Sequence, residues 1–191
     1  TMPDLNPADT RDVLCHAQQS TAEDARAAVE AARKAAKDWR ARPAPARGAL
    51  ITKAAAVLTR RKDEITALMA REEGKCPSEA AGEVQRAINA MEFLAGEGRR
   101  PWGEVLPSEL PSNFLYSIRE PLGVVALITP FNFPIAIPAW KLAAALVTGN
   151  TVVLKPAALT PWCSVALIEC LVEAGLPDGV VNLLTGGGPE V

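Results

Sequence analysis

Apolar residues along this chain change their spacing near its middle, and the change separates two kinds of structure. Over residues 20–98 they recur every three or four positions, the period of helices with one buried face. Ser20 with Glu23 three residues on forms a capping box, which predicts a helix from there to the Arg42-Pro43 break. A second periodic segment, residues 45–71, puts Leu50, Ala54, Val57, Leu58, Ile65, Leu68 and Met69 on one stripe before Gly74 ends it. A third helix is predicted from about Ser78, with Val84, Ile88, Met91 and Leu94 inward, closing near Gly96 or Gly98.

Turn-forming residues dominate 98–111, and beyond them Phe114, Tyr116 and Ile118 alternate with Leu115, Ser117 and Arg119. That alternation predicts a half-exposed hairpin strand, whose edge is open to another chain or covered by the rest of the fold. From Gly123 the period disappears. Residues 123–128, 151–154 and 180–184 are continuous apolar runs, as strands buried on both faces would be. Between them, residues 138–147 have helical length and end at Gly149-Asn150. Thr160 as N-cap, with Pro161 at the first helical position, opens a further helix that closes at Gly175. Strand, helix, strand, helix, strand in about sixty residues predicts a right-handed βαβαβ unit, half of a dinucleotide-binding sheet.

If the three runs are parallel strands, the loops that follow them open on one edge, where open α/β sheets bind ligands. Those loops are Thr129-Pro130-Phe131-Asn132-Phe133-Pro134, Lys155-Pro156-Ala157-Ala158 and Thr185-Gly186-Gly187-Gly188. Lys155 is the only basic residue after Lys141 and leaves a buried strand just before a proline. It fits either a nucleotide's phosphate or ribose hydroxyl, or a surface lysine with its stem laid on the protein. The glycines would let the backbone approach a pyrophosphate, and equally they make a plain turn. Asn132, held between two aromatic residues and fenced by Pro130 and Pro134, could donate its amide to a developing oxyanion or serve the turn itself.

Composition narrows the classes. A chain of 191 residues, 49% hydrophobic, can bury a sizeable core and fits one domain or one domain plus a fragment. A net charge of −2 gives no pull towards nucleic acid or anionic membrane. Half of the basic residues crowd into positions 33–62, opposed only by Asp38, and read as a solvated helix face. No apolar stretch reaches the ~18 residues of a membrane span, and no secretory leader is expected. Cys15, Cys76, Cys163 and Cys170 form no Cys-x-x-Cys pair, and His16, the sole histidine, has no ligand partner at metal spacing. Cys163 and Cys170 read as core thiols, and the expected setting is a reduced cytoplasm with no metal site.

Glu120-Pro-Leu-Gly-Val-Val, Ile128-Thr-Pro-Phe-Asn-Phe-Pro, Trp140-Lys141, Gly149-Asn-Thr-Val-Val-Leu-Lys-Pro and Ala174-Gly-Leu-Pro-Asp-Gly-Val-Val-Asn resemble the aldehyde dehydrogenase superfamily in order and spacing. The likeness extends through the amino half, from Asn6-Pro7-Ala8 to Glu72-Glu73-Gly74-Lys75. It implies an α/β fold, a truncated Rossmann-like parallel sheet with preceding helices and an oligomerisation β-hairpin. The units expected are 1–103, the helical part of the nucleotide-binding domain; 104–122, the hairpin; and 123–191, the βαβαβ half.

The resemblance implies NAD(P)-dependent oxidation of an aldehyde to a carboxylate through a cysteine thioester, in a homodimer or homotetramer. Asn132 would be the oxyanion-stabilising amide. Thr129, Pro130 and Phe131 would border the nicotinamide, Lys155 would contact the adenosine ribose with Pro156 and Ala157 shaping that pocket, and Gly186 would begin the phosphate loop. Asn6-Pro-Ala-Asp, Ser20-Thr-Ala-Glu-Asp and Phe93-Leu-Ala-Gly-Glu-Gly most resemble bacterial semialdehyde dehydrogenases, especially those acting on α-ketoglutaric semialdehyde.

Two departures from the family pattern carry expectations of their own. Ala158 stands where NAD-preferring members often have a glutamate, so a 2′-phosphate meets no like charge and NADP should be tolerated. The family's catalytic cysteine and glutamate base fall beyond Val191, so the 191 residues alone are expected to be inactive. The initial strand that precedes Asn6 in the family is also expected to be missing. The alternative reading is a non-catalytic nucleotide-binding or assembly fragment.

Overall fold

The computed structural model describes residues 1–100 and 102–188, so the last three residues of the 123–191 unit lie outside the described residues. An antiparallel pair opens the chain: β1 (Met2–Leu5) lies against β2 (Val13–Ala17), with Pro3 opposite His16 and Asp4 opposite Cys15. A strand therefore does precede Asn6, contrary to the sequence expectation. Asn6 turns the chain: its side-chain oxygen accepts the Ala8 N–H at 2.9 Å.

Four helices follow: α1 (Ala22–Ala41), α2 (Ala44–Arg60), α3 (Lys62–Glu73) and α4 (Pro77–Glu97). The capping box of α1 sits one residue later than the sequence suggested. Thr21 is the N-cap and exchanges hydrogen bonds with Asp24, because Ser20 is buried and spends its N–H on the Thr185 carbonyl at 2.8 Å. The single periodic segment over 45–71 is two helices that break at Arg61 (φ −91, ψ 9) and keep the apolar stripe across the break.

The hairpin consists of β3 (Val105–Leu106) and β4 (Leu115–Tyr116), paired antiparallel and continued by Ser117 N–H to Glu104 O and Arg119 N–H to Trp102 O, both 2.9 Å. Its predicted half-exposure is corrected to exposure on both faces. Phe114, Tyr116 and Ile118 are more than 60% exposed, and Leu115 on the other face is exposed too.

Next come β5 (Val124–Ile128), α5 (Ala136–Val147), β6 (Thr151–Lys155), α6 (Pro161–Glu173) and β7 (Val181–Leu183), and the three strands form one parallel sheet in the order β5-β6-β7. Among the described residues only β6 has a strand on each side, and it alone is buried on both faces, against α1 on one and the large core on the other. Among the described residues β5 pairs on one side only, with Leu127 buried and Ile128 75% exposed.

Side-chain alternation divides the sheet between two cores. Val152, Leu154 and Leu127 join the large core built from α2 to α6, whereas Val153 and Leu184 face Ala28 and Ala32 of α1. The order of layers is α1, sheet, α5 with α6, then α2 to α4. Leu154 and Val152 are fully buried, each worth roughly 1.5–3 kcal/mol relative to exposure.

Candidate functional site

The parallel register sets the geometry at the strand ends. Ile128 is paired with Lys155, the Thr129 N–H donates to the Lys155 carbonyl at 3.2 Å, and the Leu184 N–H donates to the Leu154 carbonyl at 2.9 Å. Residues 129–134, 155–158 and 185–188 consequently stand side by side on one edge of the sheet. Lys155 ties two of these loops together: its ammonium donates to the Gly186 carbonyl at 2.8 Å and to the Pro156 carbonyl at 3.1 Å. The alternatives of solvent-facing lysine and ligand contact thus meet in a half-buried amine whose donors already point across the edge.

Thr129, Pro156 and Gly186 are buried, Ala157 and Ala158 are half-buried, and Pro130, Phe131 and Asn132 are exposed. Gly186 has φ +125 and packs so closely on Ser20 that a Cβ would lie 3.2 Å from its backbone nitrogen, so only glycine suits the position. The Thr129 hydroxyl is buried and has no hydrogen-bond partner among the described residues. A buried donor without a partner, small side chains at 157 and 158 and a glycine turn fit a polar, flat ligand such as a nucleotide.

Asn132 is positioned from its backbone. Its carbonyl accepts from the Lys75 ammonium at 3.1 Å, while the same ammonium lies over the Phe133 ring, 4.6 Å from the centroid. Lys75 is also bound to Glu83 at 2.5 Å and ion-paired with Glu73 at 3.1 Å. Burial works against its charge, but the two carboxylates outweigh that and raise its pKa above the ordinary lysine value. The Asn132 side chain stays in solvent, with no partner for its amide among the described residues.

Both helices that start on this edge are capped by glutamates from distant helices. Glu83 Oε1 accepts the N–H groups of Ile135 (2.9 Å) and Ala136 (3.1 Å) at the start of α5. Glu72 accepts those of Trp162 (2.5 Å) and Cys163 (2.9 Å) at the start of α6. Thr160 does occupy the N-cap position of α6, but its hydroxyl makes no capping bond and is buried without a partner. The sequence reading missed both glutamates. Their signal was a charged residue inside an apolar stripe: Glu72 follows Ile65, Leu68 and Met69 at helical spacing, and Glu83 precedes Val84, Ala87 and Ile88.

Glu72 is buried beside Asp4, and burial first, then Asp4, pushes its pKa up to about 8 against the pull of the Cys163 N–H. Burial raises Asp4 as well. The buried cysteines behave as core thiols: burial raises Cys163 far above its ordinary value and raises Cys170 too, and Cys15, beside Asp4, is pushed to about 11. Among the described residues no cluster of His, Cys, Asp and Glu could hold a metal ion.

The residue pattern of the aldehyde dehydrogenase family matches residues 1–191. The chain belongs to that family. An alpha-ketoglutarate semialdehyde dehydrogenase of Haloferax volcanii is 49% identical over 186 residues, covering 97% of this chain and 39% of the relative. A crystal structure of an E. coli NADP dependent enzyme superposes with a TM-score of 0.96 at 38% identity, over 98% of this chain and 39% of that one. Betaine aldehyde dehydrogenase from Staphylococcus aureus, solved in complex with NAD+, gives 0.95 at 32% identity, over 99% of this chain and 38% of its own. This aldehyde dehydrogenase chain therefore spans about 39% of the length of the curated relative it matches.

A cleft of about 610 Å³ borders the same edge of this aldehyde dehydrogenase chain, with Trp162, Leu184 and Thr185 among its walls. A larger one of about 1010 Å³ lies between α4, α5 and the hairpin, lined by Leu94, Arg119, Leu122 and Val147. Neither is lined by Asn132 or Lys155.

Proposed function

We propose that this chain supplies the cofactor edge and the carbonyl-polarising amide for oxidation of a semialdehyde, such as α-ketoglutaric semialdehyde, to its carboxylate with NAD or NADP. The observation that carries the reading is the Lys155 ammonium bridging to Gly186 next to Thr129, which joins all three predicted loops into one surface. Family membership and the similarity to an alpha-ketoglutarate semialdehyde dehydrogenase support the reaction class.

When bound, a nicotinamide would supply the hydride acceptor for this oxidation. Thr129, Pro130 and Phe131 form the surface for that ring, and the unpartnered Thr129 hydroxyl offers it a hydrogen bond. Lys155, Pro156, Ala157 and Ala158 hold the adenosine ribose. The starts of α5 and α6 are already filled by Glu83 and Glu72, so anion binding at those helix ends is blocked and the phosphates fall to the loop at Gly186. Asn132 directs its amide at the aldehyde oxygen, where negative charge grows as a cysteine thiolate of the complete enzyme adds to the carbonyl carbon on the way to a thioester; such a donor is worth about 100- to 1000-fold in rate.

Ala158 places no carboxylate beside the ribose, so NADP is accepted along with NAD. The exposed hairpin, residues 104–122, serves homodimer or homotetramer contact between a helical part, 1–103, and the sheet half, 123–191. The cysteines are free, which suits a reducing cytoplasmic setting, and among the described residues no helix is long and apolar enough to cross a membrane. Incubating the natural protein with α-ketoglutaric semialdehyde and either cofactor tests the reading: reduced cofactor and acid form in equal amounts, and their absence with both cofactors refutes it.

A second reading, a non-catalytic nucleotide-binding or assembly fragment, is favoured by the apolar edge beside β5, where Leu122 is 92% and Ile128 75% exposed. Intact mass of the natural protein separates the two. A mass matching 191 residues favours the fragment, and a much larger one favours the enzyme.

A further inference from the structure

Lys75 and Glu83 touch the Asn132 loop from outside the three strand-end loops. Lys75 lies just after α3, beyond the left-handed turn at Gly74, and Glu83 lies within α4. Between them they grip both sides of the Phe133-Pro134 step. Lys75 donates to the carbonyl before it (Asn132, 3.1 Å), and Glu83 accepts the two N–H groups after it (Ile135, 2.9 Å; Ala136, 3.1 Å). The ring of Phe133 is clamped as well, with Lys75 Nζ 4.6 Å and the Arg86 guanidinium 5.5 Å from its centroid.

The grip is shielded and doubly charged. The Glu83 side chain is 1% exposed and that of Lys75 is 13% exposed, and they meet at 2.5 Å. Each also bonds to the loop or helix it faces, so the pair is a single unit linking α4 to residues 132–136. An exposed asparagine whose own amide has no partner among the described residues owes its placement to that unit.

We propose that Lys75, held by Glu83, is a positioning residue that fixes the Asn132 peptide and so aims the Asn132 amide at the aldehyde oxygen. This rests on the oxidation proposed above. A polar donor displaced by about 1 Å costs on the order of 100-fold in rate, so a residue that never touches substrate can still set turnover.

The test has two arms. In the first, backbone order parameters of Asn132 and Phe133 are measured by NMR on the natural protein and on its Lys75→Met variant. Because Lys75→Met leaves the carboxylates of Glu83 and Glu73 without their lysine, the double variant Lys75→Met with Glu83→Gln, which removes the charge of the more buried one and keeps an acceptor for α5, is measured beside it. Both variants are expected to fall from about 0.85 to below about 0.6 at these two residues, with β6 unchanged. Values that stay at the wild-type level in the double variant overturn the proposal.

In the second arm, semialdehyde oxidation by the natural protein is followed. Lys75→Met and the double variant lower kcat about 100-fold with the cofactor KM within about twofold, and Lys75→Arg restores most of it. An unchanged kcat overturns the positioning role. If the wild-type protein shows no turnover at all, the reaction falls, and the order parameters alone decide whether Lys75 fixes the loop.

Discussion

Arg47 and Glu83 cap opposite ends of the same helix. Glu83 takes the N–H groups of Ile135 and Ala136 at the start of α5, and the Arg47 Nε donates to the Val147 carbonyl at its end, 3.0 Å away. Arg47 also donates to the carbonyls of Arg40, in the last turn of α1, and Arg42, its C-cap, lies 5.6 Å from the Trp102 ring centroid and packs against Gly149, whose φ of +90 makes the turn into β6. Both charges are buried and both oppose the helix dipole correctly, so α5, and with it the loop that carries Asn132, is held from the outer helical layer.

Removing either end should therefore destabilise the whole chain. Arg47→Met leaves backbone carbonyls without donors and is expected to cost about 1–3 kcal/mol. Glu83→Ala also strands Lys75 and should cost about 3–5 kcal/mol, whereas Glu83→Gln costs less. Urea unfolding checks both, as a lower midpoint at an unchanged slope.

Glu72 makes stability depend on pH. Its pKa rises from 4.5 when unfolded to about 8 when folded, so between those values the folded chain binds the extra proton. The contribution is full below about 4.5 and is lost as pH climbs through about 8. The groups that face Glu72 are Asp4 on β1 and the Trp162 N–H and the N–H and thiol of Cys163 on α6, with Cys15 on β2 against Asp4. Glu72→Gln should flatten the fall in unfolding free energy between about pH 5 and about pH 9 relative to wild type. A variant whose slope matches the wild type would exclude Glu72 as its source.

The cofactor prediction rests on one side chain. Ala158→Glu puts a carboxylate beside the ribose and is expected to reduce the NADP-to-NAD efficiency ratio at least about tenfold, or about 1.4 kcal/mol. Steady-state kinetics with both cofactors measures it, and an unchanged ratio would remove residue 158 from the ribose site.

Assembly is predicted to depend on the hairpin. Phe114, Tyr116 and Ile118 expose apolar side chains on one short ribbon, more than an isolated two-stranded hairpin can justify in water. Replacing Phe114 and Ile118 by Ser should lower the oligomer mass seen by light scattering and leave unfolding of the sheet unchanged.

What was legible in the sequence followed from local pattern. The strands of the sheet stood out as unbroken apolar runs, and the parallel order followed from helices of fitting length between them, so the shared edge of three loops could be anticipated. Position within the sheet was not legible: Gly-Val-Val-Ala-Leu-Ile reads as buried, yet among the described residues β5 pairs on one side only, and nothing local says how many neighbours a strand has. The long-range caps were hidden for a related reason. Glu72 meets residues 90 and 91 positions away and Glu83 meets residues 52 and 53 away, distances that no capping motif spans. Thr160 was read as the cap because it satisfies the local rule, and a buried carboxylate from another layer displaced it. Lys75 lay within a family motif that has no evident role until the fold lays it under Asn132.

The central claim, that the strand-end edge presents Asn132 to a reacting carbonyl beside a bound cofactor, is tested most directly by Asn132→Ala in the natural protein. The account predicts that kcat for semialdehyde oxidation falls about 100- to 1000-fold while NADP binding, followed by fluorescence titration, stays within about twofold. A variant that turns over at the wild-type rate with the cofactor still bound would contradict it.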